Sequence, residues 1–231
     1  MSVWPVTSWS VLDSADTPKL SWHAVRRAYD PLLLSAFEDK GPLRFDRSGQ
    51  LPLRARDEDG ECQAWLSHEW DFEVQGTLSV ELASPKGRLG LIHSGRIRLA
   101  AGSSSKLWSA RRKALGITDP SRQYLVFRFS APGLERRAIL HFERPRRLSL
   151  EEPGLRQVVS HQGELCFIRI HARKLALAVE LLANVPGQFS DNGFDLLPGE
   201  RRDIVFSPSK PGAKARFEVK TLNAIALKQE S

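Results

Sequence analysis

The run FSDNGFDLLPGE at residues 189–200 reads as a turn, a short strand and a second turn in succession. Asp191-Asn192-Gly193 supplies a backbone able to take positive φ, which a tight reversal needs. Phe194, Leu196 and Leu197 are apolar enough to be pinned into a core. Pro198-Gly199 sets the next turn, with proline fixing φ at the first central position and glycine taking the left-handed one. Two strands meeting at the rim of a β-sandwich need such a corner.

Strand patterns lie on both sides of this corner. Residues 77–82 (TLSVEL), 96–99 (RIRL) and 125–129 (LVFRF) alternate with period two. Turn signals fall between them at Pro85-Lys86-Gly87, Ala101-Gly102-Ser103 and Pro132-Gly133. Short strands at this spacing indicate an antiparallel sandwich. Residues 106–115, with Leu107, Ala110 and Ala114 at helical spacing, suggest a brief helical excursion. A boundary is expected near Arg144-Pro145-Arg146-Arg147. Beyond it, strands at 165–170, 175–181, 203–206 and 215–220 predict a second, immunoglobulin-like sandwich running to about Leu227, with a frayed tail.

The first forty residues differ. Residues 4–13 are aromatic and β-prone, a polar turn follows, and Thr17 and Pro18 suit the cap and first position of a helix over 19–29. Trp22, Val25 and Tyr29 share one face of it, with Arg26 and Arg27 pointing elsewhere. Pro31 ends the helix. This is a single β-turn-α unit, which needs a larger body to pack against. Residues 41–59 read as a linker merging into an edge strand, and Glu38 and Asp39 just ahead of it are also read as linker residues.

Composition narrows the function classes. The 231 residues carry a formal charge of +7, spread as isolated pairs such as Arg26-Arg27 and Arg201-Arg202. No dense Lys/Arg run with interleaved aromatics marks a nucleic-acid footprint. No apolar run approaches the ~20 residues of a membrane span. The start, MSVWP, lacks the charged and apolar regions of a signal peptide, so a cytoplasmic chain is expected. Cys62 and Cys166 suggest two reduced, buried thiols rather than a disulfide framework. The six histidines are isolated, and His161 and His171 suit strand ends better than a metal site. No metal and no cofactor are expected.

The run at 189–200 closely resembles the last immunoglobulin-like domain of the β-mannosidases, in family two of the glycoside hydrolases, which carry F-S-D-N-x-F-D-L-x-P-G-E there. The N-terminal pattern W-P-x-x-S-W-S-x-x-D, a Pro-Lys turn and a helix ending near A-x-x-P is similar to the last βα unit of their (β/α)8 barrel. The resemblance covers residues 4–31 and about 142–206; the middle matches by position and pattern. An Asn-Asp pair precedes the tryptophan in the family, and Met1-Ser2 depart from it.

The resemblance implies a mainly β chain: a remnant barrel unit (1–40), a β-sandwich (41–143) and a C-terminal immunoglobulin-like sandwich (144–231). It implies the C-terminal part of a retaining hydrolase of terminal β-D-mannosyl residues. In the family both catalytic glutamates sit on earlier barrel strands. Retention needs two carboxyl groups about 5 Å apart, and Asp13, Asp30, Glu38 and Asp39 are poor substitutes. No catalytic residue is therefore assigned, and the chain alone is expected to be silent. The tryptophan of the W-P pair lines the sugar subsite in the family, which maps to Trp4, with Trp9 beside it. The implied partners are β-mannosides, reached through the complete enzyme, and the rest of the barrel; neither nucleic acid nor membrane is expected. A carbohydrate-binding or subunit-interaction module is the alternative. Trp65, Trp70 and Trp108 would then stack on sugar rings rather than fill a core.

Overall fold

A computed structural model describes residues 10–13, 17–40 and 59–229 of the chain. Its contacts group into two compact units. Among the described residues, one holds 10–13, 17–29, 85–87 and 150–229, and the other 30–40, 59–84 and 88–149. The breaks between these units fall at 29/30 and 149/150. Among the described residues no helix is long and apolar enough to cross a membrane.

Helix α1 spans Leu20–Ala28. It starts later than expected because residues 17 and 18 are held extended. The Asp13 carboxylate accepts the Thr17 N–H at 2.8 Å, and Pro18 bridges to Leu12. Thr17 is therefore no cap. Tyr29 N–H closes the last turn on the Val25 carbonyl, just ahead of Pro31.

The unit of residues 30–84 and 88–149 is a sandwich of seven strands among its described residues. They are β1 Leu32–Asp39, β2 Glu61–His68, β3 Val74–Ser84, β4 Gly87–Leu99, β5 Ser104–Arg111, β6 Tyr124–Ala131 and β7 Leu134–His141. The sheets run β1-β2-β5 and β4-β3-β6-β7. Leu32, Leu34, Ala64 and Leu66 of the first face Leu78, Val80, Leu125, Phe127 and Phe129 of the second. Alternation along β3 and β6 creates this core. Two expectations are corrected. Glu38 and Asp39 are strand residues, paired with Cys62 and Glu61, because LLLSAFED buries alternate side chains. Residues 106–111 are strand, paired with β2, and only Arg112–Leu115 makes a 3-10 turn.

The other unit carries β8 Arg156–Gln162, β9 Leu165–His171, β10 Ala176–Ala183, β11 Gly187–Phe189, β12 Phe194–Leu196, β13 Arg201–Pro208, β14 Phe217–Lys220 and helix α2 Leu222–Gln229. Its sheets run β12-β10-β14 and β11-β13-β9-β8. Ile168, Ile170, Ile204 and Phe206 pack against Val179, Leu181, Phe194 and Leu196. Phe189, Phe206 and Phe217 form an aromatic knot, with centroids 4.7–6.0 Å apart. The segment after β14 is helix α2, which takes in the first two residues of the tail 228–231 expected to fray, while residues 230 and 231 lie outside the described residues. Thr221 Oγ1 accepts the Ala224 N–H at its start. The buried Asn223 side chain accepts the Leu177 N–H and donates to the Leu175 and Glu151 carbonyls. Four main-chain or capping demands are met by two side chains, which periodicity alone does not reveal.

Candidate functional site

The corner at 189–200 carries the chain from β11 in one sheet to β12 in the other. Gly193 has φ +62° and Gly199 φ +80°, as both turns require. Phe194, Leu196 and Leu197 are buried. Asn192 extends the hydrogen-bonding of β10 beyond the end of β12. Its Oδ1 accepts the Leu181 N–H at 2.8 Å and its Nδ2 donates to the Leu181 carbonyl at 2.9 Å. A side-chain amide here does the work of one more strand residue.

Asp191 gathers cations. Arg27 of α1 donates from Nη1 to Asp191 Oδ1 at 2.6 Å, and the same guanidinium donates to the Asn192 and Gly193 carbonyls at 3.1 and 2.7 Å. Arg26 donates to the Ser190 carbonyl at 2.7 Å. Arg202 reaches the other carboxylate oxygen at 3.1 Å. Charge-assisted, forked contacts of this kind are the strong ones, and only arginine offers the fork. His23 completes the interface: it is 2% exposed, with Nδ1 3.7 Å from Asp191 Oδ1 and no hydrogen-bond partner. Burial holds its pKa below the ordinary histidine value, against the pull of Asp191 and with the repulsion of Arg26 and Arg27.

The polar side of α1 is the one that meets the corner. His23 and Arg27, one turn apart, point into the corner, whereas Val25 is 41% and Tyr29 84% exposed. Arg26 lies over the Trp22 ring at 4.9 Å. Hydrogen bonds to a buried carboxylate decide the orientation, and that partner lies far along the chain. Beside this interface a groove of about 270 Å³ runs between the start of α1 and β10–β11, with Lys19, His23, Glu180 and Gln188 among its walls.

The carboxylates considered for catalysis are committed elsewhere. Asp30 accepts from Arg136 Nη2 at 2.7 Å and from the Leu32 N–H. Glu38 sits between Lys40 at 3.0 Å and Arg112 at 3.5 Å. Asp13 holds the 13–17 turn. Among the described residues no three His, Cys, Asp or Glu side chains come together in a metal-binding group. His161 Nδ1 contacts Cys166 Sγ at 3.4 Å, and His171 stands in β9 opposite Arg201 and Arg156. Both cysteines are free and buried, and desolvation pushes the Cys62 thiol up to about 12.

The tryptophans separate into classes. Trp4 and Trp9 lie outside the described residues. Trp108 packs edge-on to Phe127, with centroids 5.6 Å apart. Trp65 is tied to Gln63 by its indole N–H. Trp70 alone of the three candidates stacks on an exposed ring, that of Phe72.

Residues 150–225, the sandwich that carries the corner, match the Ig_mannosidase family model, an Ig-fold domain. The β-mannosidase of Capra hircus is 28% identical over 228 residues, covering 94% of this chain and 23% of that protein. The chain is thus similar to a β-mannosidase along nearly its whole length. β-Mannosidase A of Aspergillus niger is 21% identical over 223 residues, covering 89% of the chain and 22% of its own length. The crystal structure of a β-D-mannosidase from Dictyoglomus thermophilum superposes with TM-score 0.71 at 19% identity, over 94% of the chain and 25% of that structure. An Amycolatopsis orientalis exo-chitosanase shares the fold with TM-score 0.60 at 12% identity, over 96% of the chain and 29% of its own. The chain spans under a quarter of the length of the curated relatives it matches.

Proposed function

We propose that this chain is the C-terminal part of a retaining β-mannosidase that removes terminal β-D-mannosyl residues from oligosaccharides. The observation that carries this reading is the match of nearly the whole chain, 94%, to less than a quarter of a β-mannosidase. The catalytic glutamate pair is then supplied by sequence upstream of residue 1, and the chain by itself is silent. Its role is that of accessory domains bracing the barrel. Residues 10–29 are the end of the last βα unit, with α1 as its helix. Trp4 lines the mannose subsite, and Trp9 stands close by. Placing the helix is the work of the corner: His23 and Arg27 fix one side of α1 on the sandwich and leave Val25 and Tyr29 for the barrel.

Hydrolysis of an aryl β-mannoside tests this, with the purified chain alone and mixed with a polypeptide supplying the remaining three-quarters of a relative. Activity only in the mixture, lost with Trp4→Ala, is the expected result. Turnover by the chain alone overturns the assignment of the catalytic pair to upstream sequence. Silence in the mixture, with the two polypeptides shown to associate, overturns the enzyme reading.

A further inference from the structure

The loop between β2 and β3, residues 69–73, reads Glu-Trp-Asp-Phe-Glu. Trp70 and Phe72 stack with centroids 5.3 Å apart and planes within 14° of parallel. Trp70 is packed on the sandwich core, and Phe72 is 57% exposed. One phenyl face is thus backed by the indole and the other meets solvent. The loop is held on three sides. The Trp70 carbonyl accepts the Gly102 N–H at 2.8 Å, Glu69 N–H donates to the Pro31 carbonyl, and His68 N–H to the Ser103 carbonyl. His68 Nε2 lies 2.7 Å from the Ala100 carbonyl, and its ring centroid stands 5.9 Å from that of Trp70. The exposed ring therefore sits on a fixed support.

The residues next to the pair in the chain are acidic and hydroxylic. Glu69 and Asp71 are exposed on either side of Trp70, and the hydroxyls of Ser67 and Ser104 pair at 2.6 Å at the end of β2. Glu73, by contrast, is engaged by Arg98 at 2.7 Å and by Gln75. A flat apolar ring beside unpaired carboxylates complements a ligand with one C–H face and donating hydroxyls at its edge. A peptide helix would want a groove, and an anion would be repelled.

From this geometry we infer that Phe72, backed by Trp70 and flanked by Glu69 and Asp71, is a surface platform for a neutral pyranose ring of an oligosaccharide. The phenyl face takes the C–H face of the sugar and the two carboxylates accept from its hydroxyls. The platform stands on the residues of this loop alone. Only the choice of β-linked manno-oligosaccharides as probe rests on the function proposed above.

The test is an NMR titration of the ¹⁵N-labelled 231-residue chain with β-1,4-linked mannohexaose, and separately with a glucosamine hexamer. The expected result is a saturable shift of the Trp70 indole N–H and of the 68–73 and 102–103 amides with mannohexaose. Phe72→Ala weakens it about tenfold, the effect of one lost aromatic contact, and Phe72→Tyr keeps it. Phe72 is exposed, so the variant stays folded, as unchanged shifts of the core strands will show. No saturable shift, or one that survives Phe72→Ala, overturns the platform. Shifts with the glucosamine hexamer alone overturn the neutral-sugar assignment in favour of recognition of an ammonium group. Phe72→Ala leaves the complemented hydrolysis of an aryl mannoside unchanged, so the two readings fail separately.

Discussion

Arg27 and Asp191 stand 164 residues apart in sequence and 2.6 Å apart in space. Their contact is the centre of a fork that also takes the carbonyls of Asn192 and Gly193. Replacing Asp191 by Ala leaves three guanidinium groups facing one another without their shared anion. Because Arg26, Arg27 and Arg202 are each a third or more exposed, water softens the loss. The expected cost is about 2 kcal/mol in urea unfolding, with faster hydrogen exchange along α1. Arg27→Lys keeps the charge, gives up the fork and falls between. Unchanged exchange in the α1 amides of Asp191→Ala would show that the helix is held by something else.

His23 gives the same interface a pH dependence. Its folded pKa is lowered from 6.5, chiefly by burial. The unfolded chain therefore takes up the proton first as pH falls. The stability tied to the neutral ring is present above pH 6.5 and is lost as pH drops from there through the folded pKa, at no more than about 1.4 kcal/mol per pH unit. Denaturant midpoints at about pH 7.5 and pH 5 should differ less for His23→Phe than for the native chain. Equal pH dependence in the two proteins would falsify this account.

Both thiols are shielded. Burial raises the pKa of each, and that of Cys62 to about 12, with Glu38 adding to the effect. Reaction requires thiolate. An aromatic disulfide reagent near pH 8 is expected to titrate neither cysteine in the folded chain and both after denaturation. Rapid release of one equivalent from the native protein would contradict the burial of that thiol.

Gly187 opens β11 against the aromatic knot. A Cβ there would sit on Cζ of Phe206 and 2.5 Å from the Ser207 carbonyl oxygen. Since one of these neighbours is backbone, the strand itself must shift. Gly187→Ala should cost about 1–3 kcal/mol, the range for overpacking. Gly90→Ala, where nothing lies within 4 Å, is the control and should be nearly neutral. Equal denaturation midpoints for the two variants would remove the steric argument.

Local signals served the sandwich interiors well. The alternation of residues 77–82 and 125–129 lies inside β3 and β6, and the corner's two glycines carry the positive φ that its turns call for. What failed to show was set by partners far along the chain. Strand β8, RQVVSHQ, is exposed at every position as the edge of its sheet, so it has no alternation to read. Which side of α1 meets the corner was not legible, because its polar side is the one that finds a buried carboxylate. Sequence reasoning missed Asp191 as that partner. The available hint was an acidic residue in a turn with two helical arginines still unassigned. Trp70 and Phe72 alternate about Asp71 like any strand pair, and only the placement of the loop makes them a stacked pair.

The Asn192-Gly193 dipeptide has a chemical lifetime as well as a shape. Loss of the side-chain amide at such a sequence begins when the following glycine nitrogen attacks Cγ. Here that N–H is occupied by the Val179 carbonyl and by Asn192 Oδ1, both at 3.0 Å. The leaving amide is itself fastened to Leu181. The folded corner thus slows its own ageing. Once aged, it would present an oxygen to the Leu181 carbonyl where it now presents a donor, so damage at this residue is a clock that runs only while the corner is open.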